Sequence, residues 1–285
     1  MSIISKTLFS FLLILIAHLS YGQNQENDFI EYLFKSKKYQ QLKVYEKHLE
    51  QVDTIQYDSD LLLFFIGKSF YDQQKYDSSI NYLKRVKNGD HYLESKFLIG
   101  LNSVFVDDLK TAKEVLDSSD FRTDEMMNLK YFELSGISLL ERDFKPYNEF
   151  NNQIFKNYYF FQKERESLQQ IENDLKSYNE KSPFLAGLYS AILPGAGKFY
   201  AGKKGQGIYS FVISSLLALQ AYESYQKAGP KSGRFIIYGS LFSLFHIGNV
   251  WSSALSVKKY NDEFYEAVDY RIKLDLRIPI SRFFD

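Results

Sequence analysis

The sequence predicts an all-α protein in which a helical-repeat solenoid is followed by a two- to three-helix transmembrane module. Three observations support this prediction. Between Asp28 and Ser177 the apolar residues recur at helical spacing, and one proline, Pro146, interrupts them. The same stretch is self-similar at a period of about 34 residues, as stacked helical hairpins are. The later stretch of residues 182–257 is apolar and punctuated by glycine, which is typical of packed membrane helices.

The composition excludes several classes of function. The chain has 285 residues with 35 basic and 35 acidic side chains, so its formal charge of zero gives no indication of a general nucleic-acid binder. It contains no cysteine, which rules out disulfides, thiolate zinc sites, cysteine nucleophiles and a lipidated N-terminal cysteine. Aromatic residues form 17% of the chain, a content that suits packed helices and a bilayer interface and argues against disorder.

Residues 1–22 have the features of a secretory signal peptide. Lys6 supplies a positive charge, residues 8–19 form a short apolar core, and Ser20 and Gly22 place small side chains at the expected cleavage positions. The alternative is an uncleaved anchor, although this apolar run is short for a membrane span. Either interpretation exports the following residues, which we expect in the periplasm of a bacterial envelope.

Residues 23–178 are expected to form three or four helical hairpins. Gly67 and Gly100 begin equivalent blocks, and each is followed after twelve positions by a small residue, Ser79 or Ala112. Gly136 begins a further block if a slip of one residue is allowed. We expect Gly67, Gly100, Ala112 and Gly136 to be the repeat-packing residues, at the points where antiparallel helices approach most closely.

This spacing resembles the tetratricopeptide repeat over roughly half of the chain. Two positions depart from that family's pattern, because Leu63 stands at the usual tryptophan and His91 at the usual closing proline. The resemblance implies a tetratricopeptide-like helical solenoid whose concave groove binds a peptide or a protein segment. It implies no fixed catalytic residues.

The transmembrane module, residues 182–257, begins with a helix-start signal, Ser182 followed by Pro183. The first segment is short for a span and carries Gly187, Ala191 and Gly195, a stripe of small residues that would let another helix approach closely. The third is the most secure span, since it is uncharged for 23 residues. The three segments cover residues 183–197, 205–222 and 235–257.

A glycine-rich motif ends the first segment. Its residues are Pro194, Gly195, Gly197, Phe199, Tyr200 and Gly202. The motif resembles a class of small transmembrane modules. With Ser182-Pro183 upstream and Tyr260-Asn261 downstream, it more closely resembles uncharacterised bacterial envelope proteins that carry an exported tetratricopeptide region. This resemblance implies an inner-membrane location and supplies no biochemical activity to transfer.

A polar face in the third segment is the nearest feature to an intramembrane site. His246, Asn249 and Ser253 share one side of the expected helix. Polar groups inside a bilayer are costly unless they are paired, so this face is either functional or bonds across helices to fix packing. We expect packing, because none of the three segments contains a carboxylate for a proton or ion relay.

The number of crossings and the tail, residues 258–285, have two interpretations each. Three crossings put the tail in the cytoplasm, whereas a re-entrant first segment exports it. Both arrangements satisfy the positive-inside rule in part, and we expect three crossings. Ile272, Leu274, Leu276 and Ile278 alternate with polar residues, which predicts a strand that adds to a partner's sheet or lies on the bilayer.

The sequence therefore favours a non-enzymatic, membrane-anchored protein–protein interaction scaffold that presents its repeats to the periplasm, in envelope assembly or membrane-protein biogenesis. The alternative is an accessory subunit of a transporter or channel that acts through the transmembrane module. We expect no cofactor, no metal and no catalytic residues, since the sequence lacks a phosphate loop and a nucleophile elbow. The expected partners are an unidentified protein in the groove and the lipid bilayer, with no nucleic acid.

Overall fold

The computed structural model describes residues 25–51, 58–155 and 158–284. Every regular element in these residues is an α-helix, which confirms the all-α prediction. The expected signal peptide, residues 1–22, lies outside the described residues. The chain divides into two compact units: unit 1 comprises Met1–Glu172 with Ile272–Asp285, and unit 2 comprises Asn173–Arg271.

Thirteen helices lie in the described part of the chain. Their bounds in order are α1 25–35, α2 Tyr39–Gln51, α3 Ser59–Asp72, α4 Tyr76–Leu83, α5 Tyr92–Phe105, α6 Leu109–Ser118, α7 Asp124–Leu140, α8 Phe144–Gln153, α9 Gln162–Ser177, α10 Pro183–Ile192, α11 Ala196–Tyr200, α12 Lys204–Ala228 and α13 Gly233–Phe284. Side chains cap several N-termini in unit 1, as where Thr123 accepts from the amide of Met126 at 3.3 Å.

Four hairpins in unit 1 share one turn conformation. The connections α1–α2, α3–α4, α5–α6 and α7–α8 each contain a non-glycine residue with positive φ, two positions before the second helix begins. The amide that follows it donates to a carbonyl five residues earlier, for example Lys75 N to Phe70 O at 2.9 Å. This left-handed helix ending normally favours glycine. The four turn residues are Lys37, Gln74, Asp107 and Arg142, with φ from 55° to 62°.

The shared turn sets where the paired helices cross. Gly67 and Gly100 both lie seven residues before the turn residue of their hairpin. A Cβ at Gly67 would lie 2.7 Å from the Leu83 side chain, and one at Gly100 would lie 3.3 Å from Leu116. Ser79 Oγ also donates to the Gly67 carbonyl at 2.7 Å, and Ala112, at the same position of the next hairpin, is fully buried. The small residues thus lie where α3 meets α4 and α5 meets α6.

Gly136 has a different neighbour from the one expected. Counted from the turn residue, Ser135 and not Gly136 is equivalent to Gly67, so Gly136 faces another side of α7. A Cβ at Gly136 would clash with the side chain of Leu276 in α13. Position 136 therefore holds a glycine because α13 packs against the backbone there. The slip of one residue between the repeats concealed this role.

The tail is helical, so the strand prediction for residues 272–278 is wrong. Helix α13 continues to Phe284, and its last thirteen residues belong to unit 1. Ile272, Leu276 and Ile280 are buried at a spacing of four residues, whereas Ile278 is 41% exposed. A spacing of four follows one face of a helix. The alternation by two arose because Leu274 and Ile278, although apolar, do not belong to the buried face.

Unit 2 contains α10, α11, α12 and the first part of α13. Helix α10 begins with Ser182, whose hydroxyl accepts from the amide of Leu185 at 3.3 Å, and Pro183 follows at the first helical position. Among the described residues one helix, Gly233–Phe284, is long and apolar enough to cross a membrane, while Pro183–Ile192 is apolar but shorter.

Two adjacent glutamines provide a test of the hairpin turn. We expect Gln74→Gly to raise the free energy of unfolding by roughly 0.5 kcal/mol, because relief of the left-handed strain outweighs the added chain entropy of glycine. Gln73→Gly should lower it by about 0.5–1 kcal/mol, since Gln73 has a φ of −86° and donates to the Ser69 carbonyl at 2.9 Å. Chemical unfolding of the full chain in detergent, followed by circular dichroism, measures both. Effects of the same sign would contradict the assigned turn.

Candidate functional site

The last thirteen residues of α13 pack against one face of unit 1. We use "groove" for the surface formed by α3, α5, α7 and the start of α9, and "C-terminal helix" for residues 272–284 of α13. The C-terminal helix contacts each of these elements, through Tyr71, Phe97, Gly136 and Glu164 respectively. This single helix of thirteen residues thus contacts three hairpins of unit 1, as a peptide ligand of a helical repeat would.

Apolar packing forms the centre of this contact. Ile272, Leu276 and Ile280 are at most 2% exposed, and Leu276 packs onto the open backbone at Gly136. At the C-terminal end, the rings of Phe284 and Phe97 lie 5.6 Å apart. Burying three such side chains contributes on the order of 1.5–3 kcal/mol each. We call this apolar contact the seam, and it supplies most of the attachment of the C-terminal helix to the groove.

Three charged contacts line the edges of the seam, and in each of them the basic group lies on the C-terminal helix. Lys273 Nζ lies 2.6 Å from Asp107 Oδ1. Arg282 pairs with Glu164 at 2.9 Å and donates to the Phe160 carbonyl at 2.6 Å. The guanidinium of Arg277 lies 5.4 Å above the Tyr71 ring. The groove therefore presents acidic and aromatic groups to a basic, amphipathic helix.

The C-terminal helix does not fill the groove completely. A cavity of about 230 Å³ remains against Ile280, Ser281 and Phe284, with the ion pair of Lys68 and Glu94 in its wall. In α7, Glu133 is 1% exposed and its Oε1 has no hydrogen-bond partner in the described residues. Burial raises the pKa of the Glu133 carboxyl well above its usual range. The contact thus leaves an empty volume beside the C-terminal helix.

In unit 2, the glycines of the membrane motif are required by close backbone approaches. Gly195 has a φ of +89° in the turn between α10 and α11, and a Cβ there would clash with the Gly207 carbonyl. A Cβ at Gly197 would clash with the Ala186 carbonyl, and one at Gly207 would lie 2.7 Å from the Phe199 ring. Pro194 and Gly195 therefore fold α11 back against α10 and α12.

The aromatic end of the motif holds the start of α10. Tyr200 accepts a bond to its hydroxyl from the Ser182 amide at 3.1 Å, and its carbonyl accepts from Lys181 Nζ at 3.0 Å. Gly202, with a φ of +79°, makes the turn into α12. Asn261 is a further positioning residue, because its amide bonds both the N–H and the carbonyl of Lys181. The sequence motif included Asn261, but it did not show that this side chain holds the backbone of Lys181.

The polar face of α13 meets α10. His246 Nε2 lies 3.1 Å from the Ala191 carbonyl, so it is the donor there. Ser253 Oγ lies 2.8 Å from Ser190 Oγ, which also accepts from the Gly197 amide at 2.9 Å. The expected stripe on α10 takes part, since a Cβ on Gly187 would rest 3.7 Å from Val250. Ser253 and His246 therefore connect the third apolar segment to the first.

Asn249 does not make the cross-helix bond that packing would require of it. Its side chain is 4% exposed, and neither Oδ1 nor Nδ2 has a hydrogen-bond partner within the described residues. The polar face thus divides into two bonded residues and one buried, unpaired amide. A sequence pattern shows which side of a helix a residue faces, but not whether a partner atom stands opposite.

This division predicts opposite outcomes for two substitutions. Ser253→Ala should lower the stability of the detergent-solubilised chain by about 0.6 kcal/mol and at most about 1.7, because it removes the bond between α13 and the Ser190 hydroxyl. Asn249→Leu should leave stability unchanged or raise it, since it replaces an unpaired polar group by an apolar one of similar size. Thermal aggregation in detergent measures both. A larger loss for Asn249→Leu than for Ser253→Ala would show that Asn249 has a bonded partner.

No protein-family model, curated protein or solved structure matches this chain. Within residues 25–51, 58–155 and 158–284, no group of three or more His, Cys, Asp or Glu side chains is placed to hold a metal ion. Two surfaces of the described residues are therefore candidates for function: the occupied groove of unit 1 and the apolar exterior of unit 2.

Proposed function

We propose that this protein is a non-enzymatic, membrane-anchored scaffold whose helical-repeat unit lies in the periplasm and binds a partner protein. The observation that carries this proposal is the inverted arrangement of unit 2, in which small and polar side chains are buried and large apolar side chains face outward. Such an arrangement is stable where the surroundings are lipid, because apolar side chains then need no burial and polar ones need partners.

The exposures in unit 2 illustrate this inversion. Ser190, Ser214 and Ser253 are fully buried, and Asn249 nearly so. In contrast, large apolar side chains that are 69–77% exposed occur on α10 and α13; they are Phe184, Ile192, Leu244 and Trp251. Soluble proteins seldom expose a contiguous apolar surface of this kind unless it contacts a partner or a membrane. We therefore propose that the lipid bilayer surrounds these side chains of unit 2.

Helices α12 and α13 both have the length for a transmembrane hairpin, and of the described helices α13 is also apolar enough to cross a membrane. Helix α12 has 25 residues, or about 37 Å, against a hydrocarbon core of about 30 Å. A four-residue turn joins it to α13, and the rings of Tyr225 and Phe235 lie 5.5 Å apart across that turn. Helix α10 has 10 residues, or about 15 Å, which suits a re-entrant segment that is folded back by the Pro194-Gly195 turn.

The position of the C-terminal helix favours two membrane crossings over the three that the sequence predicted. Because residues 272–284 pack among the hairpins of unit 1, the tail and the repeats share one side of the membrane. An even number of crossings must then separate them, which fits an α12–α13 hairpin with a re-entrant α10. Lys227, Lys231 and Arg234 at the hairpin tip become cytoplasmic, in agreement with the positive-inside rule.

The four shared turns support a tetratricopeptide-like solenoid in unit 1. Solenoids of stacked hairpins bind protein segments on their concave face and act without catalytic residues. A scaffold of this kind, held at the inner membrane by unit 2, fits a part in envelope assembly or in membrane-protein biogenesis. The groove is then the partner-binding surface.

Labelling of introduced cysteines tests the proposed topology directly, since the native chain has none. Cysteines that replace the exposed residues Tyr159 and Ile278 should react with an impermeant maleimide in spheroplasts. A cysteine at Lys231, in the hairpin tip, should react only after the membrane is opened. Reaction of positions 278 and 231 from the same side would contradict the two-crossing arrangement.

The unpaired amide of Asn249 favours one alternative, an accessory role for unit 2 beside a transporter or channel. A polar group on a partner's helix would satisfy this amide. Crosslinking in cells followed by recovery in detergent separates the two functions. A scaffold loses its partner when residues 25–171 are deleted and keeps it in Asn249→Leu. The accessory role predicts the reverse, with thermal stability of Asn249→Leu unchanged.

A further inference from the structure

We propose that the C-terminal helix is an internal ligand of the groove, and that it holds the place of a partner's basic amphipathic helix. The partner helix carries apolar residues at i, i+4 and i+8 with Lys or Arg between them, and it binds when the C-terminal helix leaves. This inference depends on the proposed scaffold function and specifies which partner chemistry the groove takes.

The chemistry of the partner follows from the contacts that the C-terminal helix makes. Its buried positions 272, 276 and 280 match one face of a helix, and Gly136 admits a side chain of leucine size at the centre. Asp107 and Glu164 receive basic groups at the edges. An acidic or a purely apolar helix would leave the buried Glu164 carboxylate, which is 6% exposed, without its charge partner.

Two features make the internal ligand displaceable. Pro279 lies inside the C-terminal helix, where it removes one backbone hydrogen bond and crowds the carbonyl of residue 275. The cavity of about 230 Å³ beside Ile280 is contact area that the helix does not use.

A partner helix without the proline and with a larger apolar residue at the cavity would make the same contacts and fill the cavity in addition. Competition for one groove then links partner binding to release of the C-terminal helix. Because the ion pairs at the edge are exposed on at least one side, added salt weakens the internal contact before it affects the apolar seam.

The test uses the full chain in detergent and a fluorescent synthetic peptide of residues 270–284 as the probe. Leu276→Asp places a charge in the seam and should release the C-terminal helix, whereas Ile278→Asp, at the exposed position on the same helix, is the matched control. We expect the peptide to bind the Leu276→Asp chain at least ten-fold more tightly than wild type or the Ile278→Asp chain. A peptide that itself carries Leu276→Asp should not bind.

An exchange of the charges at positions 273 and 107 provides a second, less disruptive test. Lys273→Glu opposes Asp107 and should raise peptide binding, and the further change Asp107→Lys should return it to the wild-type level. Lysine suits that turn position, because Lys37 occupies it in the first hairpin with a φ of 55°. If the Leu276→Asp chain does not fold, this second test decides alone.

The proposal would be overturned if wild type and the opened variants, Leu276→Asp and Lys273→Glu, bound the peptide equally. It would also be overturned if no folded opened variant bound the peptide. Neither result depends on membrane orientation or on partner capture in cells. A failure here with intact partner recovery would therefore leave the scaffold function standing and remove only the internal ligand.

Discussion

The contact between Leu276 and Gly136 is the interaction on which the arrangement of this protein depends. At Gly136 the backbone of α7 lies open to the side chain of Leu276, and a larger residue there would exclude it. The contact seats the C-terminal helix among three hairpins and thereby completes the apolar core of unit 1. It also brings the end of the chain back to the repeats, which requires an even number of membrane crossings under the proposed topology.

Unit 2 follows a different physical rule from unit 1. In unit 1 large aliphatic and aromatic side chains are buried, whereas in unit 2 glycine and serine occupy the interior and the large apolar residues face outward. Close backbone approach replaces hydrophobic burial as the source of packing there, as it does between helices in lipid. The glycines at 195, 197 and 207 have no tolerance for a side chain because each meets a neighbouring backbone or ring.

Under the proposed scaffold function, the occupied groove limits which partners can bind. A free groove would bind its partner whenever the two met. A groove that already holds a helix of matching charge and shape instead favours only those partners whose contacts exceed the internal ones. The unused cavity beside Ile280 is where such additional contacts would form. Affinity and regulation would then have a common structural origin.

The sequence by itself determined the all-α class, the helix start at Ser182-Pro183 and the small residues at Gly67, Gly100 and Ala112, because helical periodicity and capping are local properties. Tertiary structure alone decided the neighbour of Gly136, the helical conformation of residues 272–284 and the absence of a hydrogen-bond partner for Asn249 among the described residues. Each of these depends on a residue far away in the chain. The alternation at residues 272–278 fits both a strand and a helix, and the groove selects the helix because it buries only the face that repeats every four residues.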